Sequence, residues 1–292
     1  MRTQDLTLAE EIKNIKEGRG SKAMKKQMLI KLGIRDFEAN FILRDLQPST
    51  TRSSYTFGVE IECFAAYSSI RQAASDNNVS YAYEGYNHRS NNHYYKFVSD
   101  ASVQGMDNPI ECVSPVLKGG KDGLKSLEQC CKALNEANAK VNKTCGLHVH
   151  IGAEKLSGEQ YVNVFVNYQM LEQLIDSFMP QSRRGNNNGY CCSIVSHNFN
   201  ECHSHADVRR ELRSRYHKVN AESFERHKTI EFRQHSGTTD FQKISMWVKF
   251  CAKLVDYSKK HRLTERVNMI DEIPFINAEE KRFFNQRRES LA

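Results

Sequence analysis

No apolar run in this 292-residue chain approaches the length needed to span a bilayer, which argues against a helical membrane protein. The opening Met1-Arg-Thr-Gln-Asp-Leu6 lacks the apolar core of a signal peptide, so no secretory leader is expected. No glycine-rich turn of the Rossmann or P-loop type follows a strand-like run; a nucleotide would have to be held by another design. Internal repeats are missing, and the one low-complexity stretch is Gly185-Asn-Asn-Asn-Gly189. The nine cysteines are odd in number and include two adjacent pairs, Cys130-Cys131 and Cys191-Cys192, which does not suit a disulfide scaffold. A reducing, cytoplasmic compartment is the simplest expectation.

What is present is ordinary in bulk: 39% hydrophobic and 26% charged residues, as in soluble globular chains. The formal charge of +7 favours an anionic partner such as a nucleotide or nucleic acid without choosing between them. The length suits one large domain with an appendage. Residues 1–50 read as a helical extension interrupted at Gly18, Gly20 and Gly33, with a helix-turn-helix as a lesser reading, and 47–54 as a linker. Residues 51–258 alternate strand-like runs (55–63, 94–99, 110–115, 146–152, 228–235) with amphipathic helices (121–140, 159–178, 240–258). Residues 259–292 read as a charged tail with one helix near its end. The long gaps between strands predict α+β with a mixed or antiparallel sheet, more than a doubly wound parallel one, with the helices covering one face.

Three of the strand-like runs put ionisable side chains at alternate positions. They are Phe57-Gly-Val-Glu-Ile-Glu62, Gly146-Leu-His-Val-His-Ile151 and Thr229-Ile-Glu-Phe-Arg-Gln-His235. Because a strand sends successive side chains to opposite faces, Glu60 and Glu62 share one face, His148 and His150 another, and Glu231, Arg233 and His235 a third. The apolar residues between them fall opposite. One sheet would then pack its greasy face on helices and offer its polar face to a metal and an anion.

Two carboxylates on one strand suit a hard divalent cation, which takes oxygen ligands and keeps waters and phosphates in its remaining positions. The plain alternative for Glu60 and Glu62 is a solvated pair on an edge strand, and Glu231–Arg233 could be a surface ion pair of little weight. His148 and His150 could share a metal, or one could meet a phosphate or acyl oxygen, with Gly146 and Gly152 permitting close approach. Arg233 has the planar fork suited to phosphate. Asp100 and Ser102 end a strand in a polar turn, and Glu111 interrupts an apolar strand. Cys192, His197 and Cys202 have part of a zinc-ligand spacing, with His203 or His205 as a fourth ligand.

The ordered set of these motifs resembles the amidoligase family, carboxylate–amine ligases with a glutamine-synthetase-like fold. The set comprises the Glu60/Glu62 strand, the Asp100-x-Ser102 turn, Glu111-Cys-Val-Ser-Pro115, the His148/His150 strand, Arg183-Arg-Gly-Asn186 and the strand ending in Gln-His-Ser-Gly-Thr238. The resemblance spans roughly residues 55–258. It implies a curved, mainly antiparallel sheet holding ATP and two or more Mg²⁺ or Mn²⁺ ions. ATP would phosphorylate a carboxylate, and an amine would displace phosphate to form an amide.

By resemblance Glu60, Glu62, Glu111, His148 and Glu231 are metal ligands, and Arg233 faces the transferred phosphoryl group. Asp100 and Arg183 join Arg233 as catalytic candidates. Arg183 and Arg184 resemble mobile-loop arginines near the nucleotide, with 185–189 as a lid, and Lys218 and Asn220 line the substrate site. His150 counts with the nucleotide-binding candidates; His235 receives no role. The implied partners are small-molecule or peptide carboxylates and amines, with nucleic acid less favoured, no membrane, and room for an oligomer. The competing readings are a metal-dependent hydrolase or nuclease on the same strands, and a binding protein that keeps the fold with altered catalysis.

Overall fold

The computed structural model describes residues 8–18, 22–34, 55–85, 87 and 89–292. Residues 1–52 and 53–292 form two compact units. In the first, α1 (Leu8–Glu17) and α2 (Lys22–Lys31) enclose a small core in which Leu29 is buried against Ile12, Ile15 and Ile34. Helix α2 stops at Gly33, whose φ of 84° is the left-handed turn a helix C-terminus favours. The second helix of the lesser helix-turn-helix reading and the 47–54 linker lie outside the described residues.

The second unit is built on one eight-stranded sheet of order β2-β3-β4-β1-β6-β8-β7, with β5 also paired to β1. The strands are β1 (Thr56–Phe64), β2 (Tyr81–Tyr83), β3 (Tyr95–Ser99), β4 (Pro109–Val113), β5 (Leu117–Lys118), β6 (Gly146–Gly152), β7 (Val219–Asn220) and β8 (Thr229–Ser236). All pairings are antiparallel except β2 with β3. The expected α+β class and antiparallel sheet are therefore observed, and the five anticipated strands are β1, β3, β4, β6 and β8. The two-residue β5 and β7 are too short to show an alternation.

Helices α4 (Lys121–Glu136), α5 (Gly158–Ser177) and α8 (Phe241–Ser258) are the three the sequence predicts. Helix α3 (Tyr67–Asp76) and the short α6 (His205–Leu212) and α7 (Ser223–His227) complete the connections. Each long helix meets the apolar sheet face through named contacts. Tyr168 of α5 packs on Phe232, and Trp247 of α8 lies 5.8 Å from His235. Cys130 of α4 lies 3.6 Å from Cys112 on β4. Helix α5 begins in a reciprocal Ser157–Gln160 capping box and is buried almost all round, so the side chains of Phe165 and Leu171 each contribute on the order of 1.5–3 kcal/mol.

The last 34 residues do not stand apart as a charged tail. Helix α9 (Ala278–Ser290) buries Phe284 against Phe178 and Phe250, and Lys253 bonds Glu280 at 2.7 Å. No helix among the described residues is long and apolar enough to cross a membrane.

Candidate metal centre

The antiparallel register sets the polar residues opposite one another. Glu60 pairs with His148 across β1–β6, Glu62 with Glu111 across β1–β4, and His150 with Glu231 across β6–β8. Cross-strand partners share a face, so side chains from four neighbouring strands converge. His148 sits in the middle. Its Nδ1 is 2.9 Å from Glu60 and 3.5 Å from Glu231, and its Nε2 is 3.5 Å from Glu62.

Gly146 allows this crowding. A Cβ there would lie 3.0 Å from His148 Nε2 and 3.3 Å from Glu62 Oε2, while its own N–H donates to Glu62. Three groups with metal-ligand spacing occur among the described residues, and all lie here: Glu60/Glu111/His148, Glu60/His150/Glu231 and Glu62/Asp100/Glu111.

The electrostatics call for a cation. Burial and the carboxylates of Glu60, Glu62 and Asp100 push Glu111 well above the usual carboxylate range. Burial also works upward on Glu60, but His150 and the hydrogen bonds from His148 and His150 outweigh it and hold Glu60 well below that range. Burial works upward on Glu231 too, and is overcome by Arg233 and His150. His150 is raised because Glu60 outweighs the burial that disfavours its charge. Its Nδ1 is engaged by Thr229 at 2.9 Å, while its buried Nε2 lies 3.3 Å from the Glu60 carboxylate and within metal-ligand spacing of Glu231. Imidazole nitrogens set among several buried carboxylates are a donor set that fits Mg²⁺ or Mn²⁺.

Supporting side chains hold the ligand candidates. Asn220 donates its amide to Glu231 at 2.5 Å, and Arg233 braces the other oxygen of the same carboxylate. Ser102 donates twice to Asp100, closing the turn after β3. The cluster floors a cleft of about 1070 Å³ whose walls include Arg89, Lys96, Arg213, Arg226 and Arg233. That volume exceeds the usual size of a small-ligand pocket.

Five sequence expectations need correction. His235 does not share the face of Glu231 and Arg233. A β-bulge sets His148 opposite both Arg233 and Gln234, so His235 pairs with Leu147 and turns to the helix side beside Trp247. Lys218 does not line the cleft. It is fully buried and its ammonium bonds Glu172 at 2.8 Å and Asp176 at 2.6 Å on α5.

Arg184 turns away to the carbonyls of Met179 and Leu291, whereas Arg183 is buried beside the cluster, donating to the Cys145 carbonyl with its Nη1 3.4 Å from where a Cβ on Gly146 would sit. The 185–189 stretch is a pinned turn, with Gly185 N–H on Asp176 and Asn186 accepting from Ser193. Cys192, His197 and Cys202 form no three-ligand group among the described residues; His197 instead contacts Glu211 and His217, each at 3.2 Å.

Some cleft residues escaped the sequence reading. Lys96 is buried on the polar face and donates to Asn87 and the Arg89 carbonyl; its signal was a lone lysine between Tyr95 and Phe97. Tyr190, Arg209, Arg213 and Arg226 come from loops and short helices that carry no periodicity.

A half-covered, mainly antiparallel sheet whose polar face gathers five acids, two histidines and an arginine thus floors a cleft with cationic side chains on its walls. A family described as "Putative amidoligase enzyme" matches residues 53–255, and the chain belongs to that family. The resemblance read from the ordered motifs is thereby borne out. Among solved structures, a bifunctional glutathione synthetase from Pasteurella multocida is similar at 11% identity and a TM-score of 0.41, over 86% of this chain and 43% of that one. The chain thus spans less than half the length of that enzyme. No curated protein matches the chain.

Proposed function

We propose that the protein is an ATP- and divalent-metal-dependent ligase that joins a carboxylate to an amine through an acyl phosphate, on a glutamine-synthetase-like sheet. The observation that carries this reading is the convergence of Glu60, Glu62, Glu111, His148 and Glu231 on one face beside Arg233. Family membership supports ligase chemistry in general. Glu60, Glu62, Glu111, His148, His150 and Glu231 would hold Mg²⁺ or Mn²⁺. Bound there, such ions spread the negative charge of the phosphate oxygens.

Phosphoryl transfer relies mainly on positioning and on cations around the equatorial oxygens, and the chain's own residues supply both. Arg233, fixed by Glu231 and by the Tyr190 carbonyl at 3.3 Å, is placed to donate to the transferred group. Asn220 keeps Glu231 in place. In this reading the substrate carboxylate would lie over the floor between β4 and β8 and attack the terminal phosphorus, with ADP as the leaving group. The amine then attacks the acyl carbon, phosphate leaves, and a proton passes from nitrogen to a nearby base, for which Asp100 is placed. Burial of the floor limits the access of water, which would hydrolyse the acyl phosphate.

The test is ADP release by the purified chain with panels of small and peptide carboxylates and amines, including hydroxylamine as a general nucleophile. ADP release that requires Mg²⁺ or Mn²⁺, rises when carboxylate and amine are both present, and yields a hydroxamate with hydroxylamine is the expected result. Hydrolysis of phosphoesters with no need for ATP or amine would replace this reading with a metal-dependent hydrolase.

A further inference from the structure

Two tyrosines on the β7 side of the cleft are exposed beside its charged residues. Tyr190 is 53% exposed and Tyr216 38% exposed, and both line the cavity. Tyr95, Tyr161 and Tyr168 are by contrast buried in the core. The two rings meet edge to face with centroids 5.5 Å apart, and the Arg215 guanidinium lies 5.1 Å over the ring of Tyr216. Such tilted and cation–π contacts are favourable geometries for aromatic rings.

The backbones beneath them are fixed. Cys192 N–H donates to the Tyr216 carbonyl at 2.8 Å and Lys218 N–H returns a bond to the Cys192 carbonyl at 2.9 Å, tying the two segments side by side. The flanking Lys218 is anchored in its buried pair with Glu172 and Asp176, and His217 bonds the Ser214 carbonyl. Arg233, beside the acidic cluster, donates to the carbonyl of Tyr190 itself. An aromatic face is thus held rigidly next to the residue best placed for a phosphate.

We propose that Tyr190 is the stacking surface for the base of a purine nucleotide, buttressed by Tyr216 and Arg215, while Arg233 and the acidic cluster take its polyphosphate. This rests on the ligase reading above and names the part of the site that would recognise the nucleotide. A carboxylate or amine substrate needs no π-face. A purine joined to a triphosphate needs both an aromatic plane and a cation clamp, and base–aromatic stacking is tolerant of which base is offered.

The test is calorimetric titration of the full chain and of its Tyr190→Ala and Tyr190→Phe variants with a non-hydrolysable ATP analogue, the matching GTP analogue and tripolyphosphate, each with Mg²⁺. Tyr190→Ala is expected to weaken both nucleotides about tenfold and to leave tripolyphosphate unchanged, with Tyr190→Phe close to the parent. Circular dichroism checks that both variants are folded. Unchanged nucleotide affinity in folded Tyr190→Ala overturns the stacking role while leaving the ligase reading intact. Failure of the parent chain to bind any of the three ligands overturns the nucleotide reading and the stacking role with it.

Discussion

Glu60 and His148 face each other across β1 and β6, with His148 Nδ1 2.9 Å from the Glu60 carboxylate. This pair lies at the centre of the cluster, because His148 also approaches Glu62 and Glu231. Strand pairing alone creates the pair, since a one-residue slip would send His148 to the helix side and Leu147 into the cleft.

The residues around the pair divide between holding ions and serving the transferred group. Glu62→Gln removes a charged oxygen from the cluster and is expected to weaken Mn²⁺ binding with little change in fold. Arg233→Ala removes a donor aimed at the site of developing charge and is expected to lower turnover about 10²–10³-fold. Calorimetry with Mn²⁺ and steady-state ADP release separate the two. Full ligation by both variants would remove these residues from the site.

Metal binding must displace protons. Glu111 is held well above its usual range by burial and neighbouring carboxylates, so it keeps a proton at pH values where an ordinary glutamate is ionised. Cation affinity is expected to rise as pH rises above the ordinary glutamate range, with proton release visible as a dependence of the binding heat on buffer. Glu111→Gln should reduce that release.

Lys218 is expected to govern stability and to leave the chemistry alone. Lys218→Met strands Glu172 and Asp176 without their shared ammonium, and breaking a buried pair in this way costs about 3–5 kcal/mol. Denaturant unfolding measures the loss. Unchanged stability accompanied by loss of nucleotide binding would return Lys218 to the substrate site.

His235 makes the fold acid-sensitive. Burial, with Arg287 and Arg183 nearby, pushes its pKa down from 6.5 to about 3. The unfolded chain therefore binds the extra proton first, and stability is lost as pH falls below 6.5. At pH 5 the loss amounts to about 2 kcal/mol. Unfolding curves of the metal-free chain from pH 7 to 4 are expected to show this slope, flattened in His235→Gln. An equal slope in the variant would place the acid sensitivity elsewhere.

Much of the fold was legible because burial writes itself as periodicity. Val59 and Ile61 alternate with Glu60 and Glu62, and Val164, Tyr168, Leu171 and Ile175 recur at helical spacing, so β1 and α5 were readable. His235 was not, because a bulge changes the phase of a strand without changing its composition. Lys218 was misread for a related reason. Its partners Glu172 and Asp176 lie one helical turn apart on a distant element, and nothing local marks an acid pair as buried. Tyr190 and Arg213 stand in loops, and Arg209 and Arg226 on helices of eight residues or fewer, where position is set by tertiary contacts and leaves no repeating signal.

The most direct test of the central claim is a crystal structure grown with Mn²⁺ and a non-hydrolysable ATP analogue, read for anomalous signal. At least two Mn²⁺ peaks among Glu60, Glu62, Glu111, His148 and Glu231, with the terminal phosphate reaching Arg233, are the predicted result. Nucleotide and metal density lying anywhere other than between β4 and β8 would contradict it.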